Sequence, residues 1–402
     1  MQKLLRNFTF NPKNDILSGL TVALALVPEA VAFAFVAGID PLVGLYGAFM
    51  MGLITAVFGG RPGMISGATG AMAVVMVHLI QKGNEVGVGL AVPIENLGLQ
   101  WLFITLLFVG LIQISAGIFR LGKFVRLIPH SVMMGFVNGL AIVIFLSQLG
   151  LFKETINGEK QWMQGTDLWV MLGFVALTMA IMYVLPKITK KVPSALVAII
   201  VVAAITILGA LDVSTVGSFI IDGGGNGLQG SLPTFQVQIF GLFDTLVGHW
   251  DLILSTALLL AAVGLIESLM TLNLIDDMTE TRGSGNRECV AQGGANIVNG
   301  LFGGMGGCAM IGQSIINVNS GGRGRLSGIV AAIALLGFVL FGAPLIERIP
   351  IAALVGVMFM VVIGTFAWSS FRILHKIPLA YAIVLITVSA VTVWQDLAIA
   401  VI

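Results

Sequence analysis

Apolar runs long enough to cross a hydrocarbon layer of ~30 Å, which takes roughly 20 residues as helix, recur from one end of the chain to the other. They predict spans at about 15–38, 41–60, 70–82, 97–119, 124–151, 168–185, 193–211, 250–275, 288–303, 307–318, 325–343, 350–367 and 376–395. Two of them, 70–82 and 307–318, are too short to cross. Each is preceded by a glycine-rich stretch, RPGMISGATG before the first and GLFGGMGG before the second, and such breakers mark a helix that begins late. Both read as half-helices that start inside the membrane rather than at its edge.

Composition agrees with this pattern. Apolar residues make up 57% of the 402 positions and charged residues 10%, where a soluble globular chain has about 25%. So little charge cannot cover a water-facing surface, and the chain reads as an all-α polytopic membrane protein. The opening MQKLLRNFTFNPKND places charges and a proline before the first apolar run with no small-residue cleavage site, so it is not a removable signal peptide. The two cysteines, Cys289 and Cys308, have no metal-type spacing. With no nucleophile–base arrangement and no phosphate loop, the sequence points away from an enzyme, and it calls for no cofactor and no nucleic acid.

Lysine and arginine collect in cytoplasmic loops, so their positions orient the spans. With the N-terminus inside and each half-helix emerging on the side its leading strand did not come from, sixteen of the 20 basic residues fall on the cytoplasmic face, among them Arg61, Arg120, Lys190, Arg282, Arg287, Arg323 and Arg325. The outside keeps Lys82, Lys153, Lys160 and Arg348. A short repeat joins the halves: Arg126-Leu127-Ile128-Pro129 with Gly135, and Arg348-Ile349-Pro350 with Gly356, the glycine six residues past the proline in each. One copy lies inside and the other outside, so the halves are expected to be inverted relative to each other, a common plan of secondary transporters.

Two spans carry a carboxylate within apolar sequence, Glu29 in LALVPEAVAFAF and Glu267 in LAAVGLIESLMTL. Each is either functional or a packing residue bonded to a neighbouring helix, and function is the default for an acid at membrane depth. If the N-termini of the half-helices meet, their unpaired N–H groups and positive dipole ends attract an anion. The glycines at Gly67 to Gly70 and Gly303 to Gly307 allow backbone to approach a ligand closely. Ser66, Thr69 and Gln313 add donors, with Cys308 beside them. Phe33, four residues after Glu29, is either a pocket wall or plain packing.

The stretches VPEAVAFAFVAGIDPLVGLYGAFM (27–50), FGGRPGMISGATGAMAVVM (58–76) and GLFGGMGGCAMIGQSIINVNSGGRGRLSG (300–328) resemble the SulP family of anion transporters, also called solute carrier family 26. That resemblance implies two inverted repeats of seven transmembrane segments forming core and gate domains, with substrate held between half-helices at segments 3 and 10. The repeats would occupy 15–212 and 250–402, after a cytoplasmic 1–14 and around an external loop at 213–249. The anion site carried over comprises Glu29 and Phe33 on segment 1, Thr69, Gly70, Ala71 and Met72 on segment 3, and Cys308, Ala309, Met310 and Gln313 on segment 10. Glu267, with Thr271 one turn on, falls where cyanobacterial bicarbonate carriers of the family have aspartate and threonine, and the pair is expected to bind the coupling ion, sodium or a proton. The expected function is secondary active transport of bicarbonate or sulfate by symport across the bacterial inner membrane. Alternatives are an uncoupled anion channel, an anion exchanger or a dicarboxylate carrier. Relatives continue into a cytoplasmic STAS domain, absent here after DLAIAVI, and the full-length protein is expected to be a homodimer.

The orientation is testable by labelling single cysteines from outside, in a background lacking Cys289 and Cys308. Positions near Lys160 should react and positions near Lys190 and Arg323 should not; the opposite pattern would reverse the topology.

Overall fold

The computed structural model describes residues 11–90, 93–122, 130–156, 159–189, 193–222, 230–373 and 378–394. Arg126 to Pro129 of the repeated motif, Lys190 and the terminal DLAIAVI lie outside them. Among the described residues seven helices are long and apolar enough to cross a membrane. The chain divides into two compact units, each assembled from both halves of the sequence: Met1–Leu127 with Ser231–Leu340, and Ile128–Gly230 with Phe341–Ile402.

The first unit begins with α1 (Pro12–Ala37), which Asn11 caps by accepting a bond from the Asn14 amide, and which ends at Gly38 in the left-handed conformation. Asp40 then caps α2 (Pro41–Phe58) through the Leu42 amide at 2.7 Å, with Pro41 in the first helical position, where no amide is needed. Three residues of strand, β1 (Ser66–Ala68), lead into α3 (Gly70–Gly89), and α4 follows at Leu97–Ile118. The return pass of the chain supplies α9 (Trp250–Thr279), α10 (Gly285–Phe302), a second three-residue strand β4 (Gly307–Ala309), α11 (Ile311–Asn319) and most of α12 (Arg325–Glu347).

The two predicted half-helices differ in length. α11 is nine residues long and is stopped by the SGG turn, where Gly321 adopts a positive φ of 94° and the Gly322 amide bonds the Asn317 carbonyl. α3 runs 20 residues, past the predicted end near 82, because its polar last turns are satisfied: Lys82 pairs with Glu85 at 3.0 Å and Asn84 accepts from the Gly98 amide. The strands were not anticipated as strands; the sequence shows only small, glycine-rich leaders.

One end of this unit gathers its arginines. The Arg325 guanidinium bonds the carbonyls of Ala56, Val57 and Gly59 at the C-terminus of α2, and Arg287 bonds that of Phe58. Cations there satisfy orphan carbonyls and complement the negative end of the helix dipole. Beside them Arg61 pairs with Asp276 at 3.1 Å, and Asp15 accepts the Arg323 and Gly324 amides. Four arginines predicted to share one membrane face thus share one end of the unit.

The second unit holds α5 (His130–Leu149), a hairpin of β2 (Lys153–Ile156) and β3 (Glu159–Trp162), α6 (Gly165–Ile188), α7 (Ser194–Leu208), α8 (Val216–Asp222), α13 (Ile351–Thr365), α14 (Ser369–Ile373) and α15 (Leu379–Trp394). Here the two glycines of the repeated motif do equivalent work. A Cβ on Gly135 would lie 2.7 Å from the Leu385 carbonyl, so its absence brings α5 against α15. A Cβ on Gly356 would lie 2.6 Å from Thr178, so its absence brings α13 against α6. In each half the helix after the motif crosses a helix of the other half through its glycine, as two repeats of one plan require.

Candidate functional site

β1 and β4 pair with each other antiparallel, Ser66 opposite Ala309, Gly67 opposite Cys308 and Ala68 opposite Gly307. Such pairing needs bare backbone at its centre, since a Cβ on Gly307 would collide with the Gly67 carbonyl. Because the strands are antiparallel, α3 leaves one end of this ribbon and α11 leaves the other. The two helix starts therefore lie at opposite ends of the same short crossing.

At each start the first intrahelical bonds show which amides remain unpaired. The Ala73 amide bonds the Thr69 carbonyl at 3.0 Å, leaving Gly70, Ala71 and Met72 without an i−4 partner. The Ser314 amide bonds the Met310 carbonyl at 3.1 Å, leaving Ile311, Gly312 and Gln313 in the same condition. On the segment-10 side this shifts the expected donors forward. The Ala309 amide is taken by the Ser268 hydroxyl and the Met310 amide by the Ile65 carbonyl, so Cys308 and Ala309 lie in the strand and Met310 is the N-cap of α11, none of them an open amide of the helix start. Ser66 also turns away, its hydroxyl accepting from Gln292.

Side chains complete the constellation. Thr69 Oγ1 lies 3.2 Å from Cys308 Sγ, and Cys308 donates to Glu267 Oε2 at 2.9 Å, so a short polar chain links α3, β4 and α9. Thr69 is also a hydrogen-bonding neighbour of the Glu267 carboxyl. Gln313 approaches the Glu29 carboxyl on α1, just after Pro28 has removed one backbone donor from that helix. The Gln313 side chain is only 3% exposed, and its Nε2 has no hydrogen-bond partner of good geometry. A buried, unsatisfied donor between a carboxylate and an open helix start is ready for a ligand. Glu29 and Glu267 keep some accessible surface, whereas Thr69, Gly70, Ala71 and Met72 around them are buried.

Two expected residues stand apart. Thr271 is fully buried and its hydroxyl donates to the backbone carbonyl of Glu267 at 2.8 Å, so it meets Glu267 through the helix and not through the carboxylate. Phe33 is buried one turn along α1 from Glu29. Among the described residues no group of three or more His, Cys, Asp or Glu is placed to hold a metal ion. Sequence reading missed Ser268 and the Ile311–Gly312 amides; the signal for Ser268 was its place beside Glu267, on a helix already marked as polar.

Two interrupted helices opening onto one crossing, inside a bundle of membrane-length helices, define a membrane transporter. The chain belongs to the sulfate permease family, whose sequence model it matches over residues 13–388. It is therefore a multi-pass membrane protein that transports anions and not an enzyme. It is 46% identical over 389 residues to the "Putative sulfate transporter YbaR" of Bacillus subtilis, covering 96% of this chain and 74% of that protein. It is 32% identical over 399 residues to the bicarbonate transporter BicA of Synechocystis, covering 96% and 67%. The transmembrane domain of a cyanobacterial BicA superposes with a TM-score of 0.81 at 31% identity, covering 98% of this chain and 99% of that one. Murine Slc26a9 in its inward-facing state shares the fold, with a TM-score of 0.77 at 16% identity, covering 96% and 66%.

If the α3 amides receive substrate, Ala71→Leu should close off their approach. Uptake should fall at least tenfold at matched membrane expression, and normal uptake would place the anion elsewhere.

Proposed function

We propose that this protein is a secondary active carrier of a small oxyanion, bicarbonate or sulfate, held between the starts of α3 and α11 and moved together with a proton or a sodium ion. The observation that carries this reading is the β1–β4 crossing, which presents a set of unpaired amides at either end. A small oxyanion beside the crossing would take its hydrogen bonds from these amides, as anions do at helix N-termini. The substrate class also follows the relatives, one described as a sulfate transporter and one as a bicarbonate transporter.

Charge balance supports coupling. Two helix N-termini supply about +1 between them, since each carries roughly half a charge. Glu267, bonded to Cys308 beside Thr69, balances that charge while the site is empty. An arriving anion then needs a cation to accompany it, because uncompensated charge in low dielectric is costly. A proton on Glu267 meets the need directly; sodium would need further oxygen ligands, which carbonyls near Glu267 would have to supply. Glu29 would contact an anion as a protonated donor or hold Gln313 toward it.

All twelve candidate residues lie in one compact unit. That unit would carry anion and cation as one body in an elevator-like or rocking displacement that alternates access. The setting would be a bacterial inner membrane, with a cytoplasmic N-terminus and a homodimeric assembly.

The coupling is tested by Glu267→Gln in proteoliposomes, where glutamine mimics the protonated acid. Gradient-driven accumulation should be lost while exchange of labelled anion across the membrane persists. Full concentrative uptake with unchanged pH and sodium dependence would make Glu267 a packing residue, and rapid flux that no gradient drives uphill in the wild type would make the protein a channel.

A further inference from the structure

A third carboxylate of the first unit, Glu288, has no part in the proposed cycle. It sits in the first turn of α10, fully enclosed, and begins a polar row with Gln292 and Asn296. Residues four apart share one face of a helix, so the three stand above one another on successive turns. All three are 0% exposed. Unpaired, each would cost several kcal/mol in an apolar interior, so their partners explain why they are there.

The partners all belong to the segments that bear the site. Glu288 Oε2 accepts the Gly60 amide at 2.7 Å, on the loop leading into β1. Gln292 Nε2 donates to Glu288 Oε1 at 2.8 Å and to the Ser66 hydroxyl at 2.9 Å, the first residue of β1. Asn296 grips the first residue of β4 by both backbone groups, accepting the Gly307 amide at 3.0 Å and donating to its carbonyl at 3.2 Å. Its amide also donates to Gln113 of α4 at 2.9 Å, and Gln113 reaches the Ala261 carbonyl of α9 at 3.5 Å. One face of one helix therefore bonds β1 through the Ser66 side chain and β4 through the Gly307 backbone.

We propose that the Glu288–Gln292–Asn296 row of α10 is the positioning device of the anion site: it fixes β1 through Ser66 and β4 through Gly307, and so sets the gap between the starts of α3 and α11. None of the three is placed to touch the anion; they act through the strands. The proposal rests on the anion lying between those helix starts. A row that merely glued helices together would change stability and leave substrate affinity alone, whereas a row that sets the gap changes affinity first.

The test is uptake of labelled sulfate and labelled bicarbonate by the purified protein in proteoliposomes, over a range of concentrations, for Ser66→Ala, Gln292→Met, the double variant and Asn296→Asp. Ser66→Ala removes a single buried oxygen and leaves the fold least disturbed. Each single variant should raise KM for the transported anion roughly five- to tenfold, the worth of one hydrogen bond of about 1 kcal/mol, with Vmax per inserted molecule within about twofold of wild type. Ser66→Ala and Gln292→Met break the same bond, so the double variant should be no worse than Gln292→Met alone. Asn296→Asp keeps an acceptor for the Gly307 amide but sets a carboxylate against the Gly307 carbonyl and Gln113 Oε1, and should raise KM at least as much as Gln292→Met. An unchanged KM in Ser66→Ala and Asn296→Asp, or strictly additive effects in the double variant, would overturn the proposal. Should Ala71→Leu abolish uptake while these KM values stay unchanged, the positioning row alone fails; should Ala71→Leu transport normally, the anion site itself is misplaced.

Discussion

Backbone N–H groups that end without partners inside a membrane bundle are costly, and everything around the β1–β4 crossing answers to that constraint. Starting a helix always leaves its first amides unpaired, and two helices start here on either side of a three-residue ribbon. The strands satisfy their own amides, through each other, Ser268, Ile65 and Asn296, so the unpaired donors are confined to the first turns of α3 and α11. On the proposed reading, that unmet demand in two turns is what receives the anion.

The same constraint explains the polar chain from Thr69 through Cys308 to Glu267. A positive helix end with no anion present attracts a carboxylate, and Glu267 is near enough to supply one. On the proposed cycle an arriving anion competes with Glu267 for that positive potential, and a cation would resolve the competition.

Much of this was legible in the sequence, for identifiable reasons. Long apolar runs gave the spans, because membrane-length helices need little beyond hydropathy. Glu29 and Glu267 stood out because acids in apolar runs are rare, and the glycine-rich leaders located both helix starts. The pairing of SGA with GCA was not legible: three small residues carry no strand period, and their partners are 241 residues apart in register, Gly67 with Cys308. The forward shift of the open amides to Ile311–Gln313 followed from that pairing and was hidden with it. The α10 row was written in the sequence as Glu288, Gln292 and Asn296 at four-residue spacing, but nothing in the sequence shows that its partners are Gly60, Ser66 and Gly307. The end of α3 was misplaced because hydropathy stops at Ile80 while the helix continues on capped polar turns.

The central claim is that the anion sits between two helix starts and bonds to both. Anomalous scattering from selenate, bound to protein whose sulfate uptake selenate inhibits, locates the anion directly. One selenium peak is expected beside the Gly70–Met72 and Ile311–Gln313 amides, lost in Ala71→Leu. A peak bound elsewhere, or a site beside only one of the two helices, would contradict it.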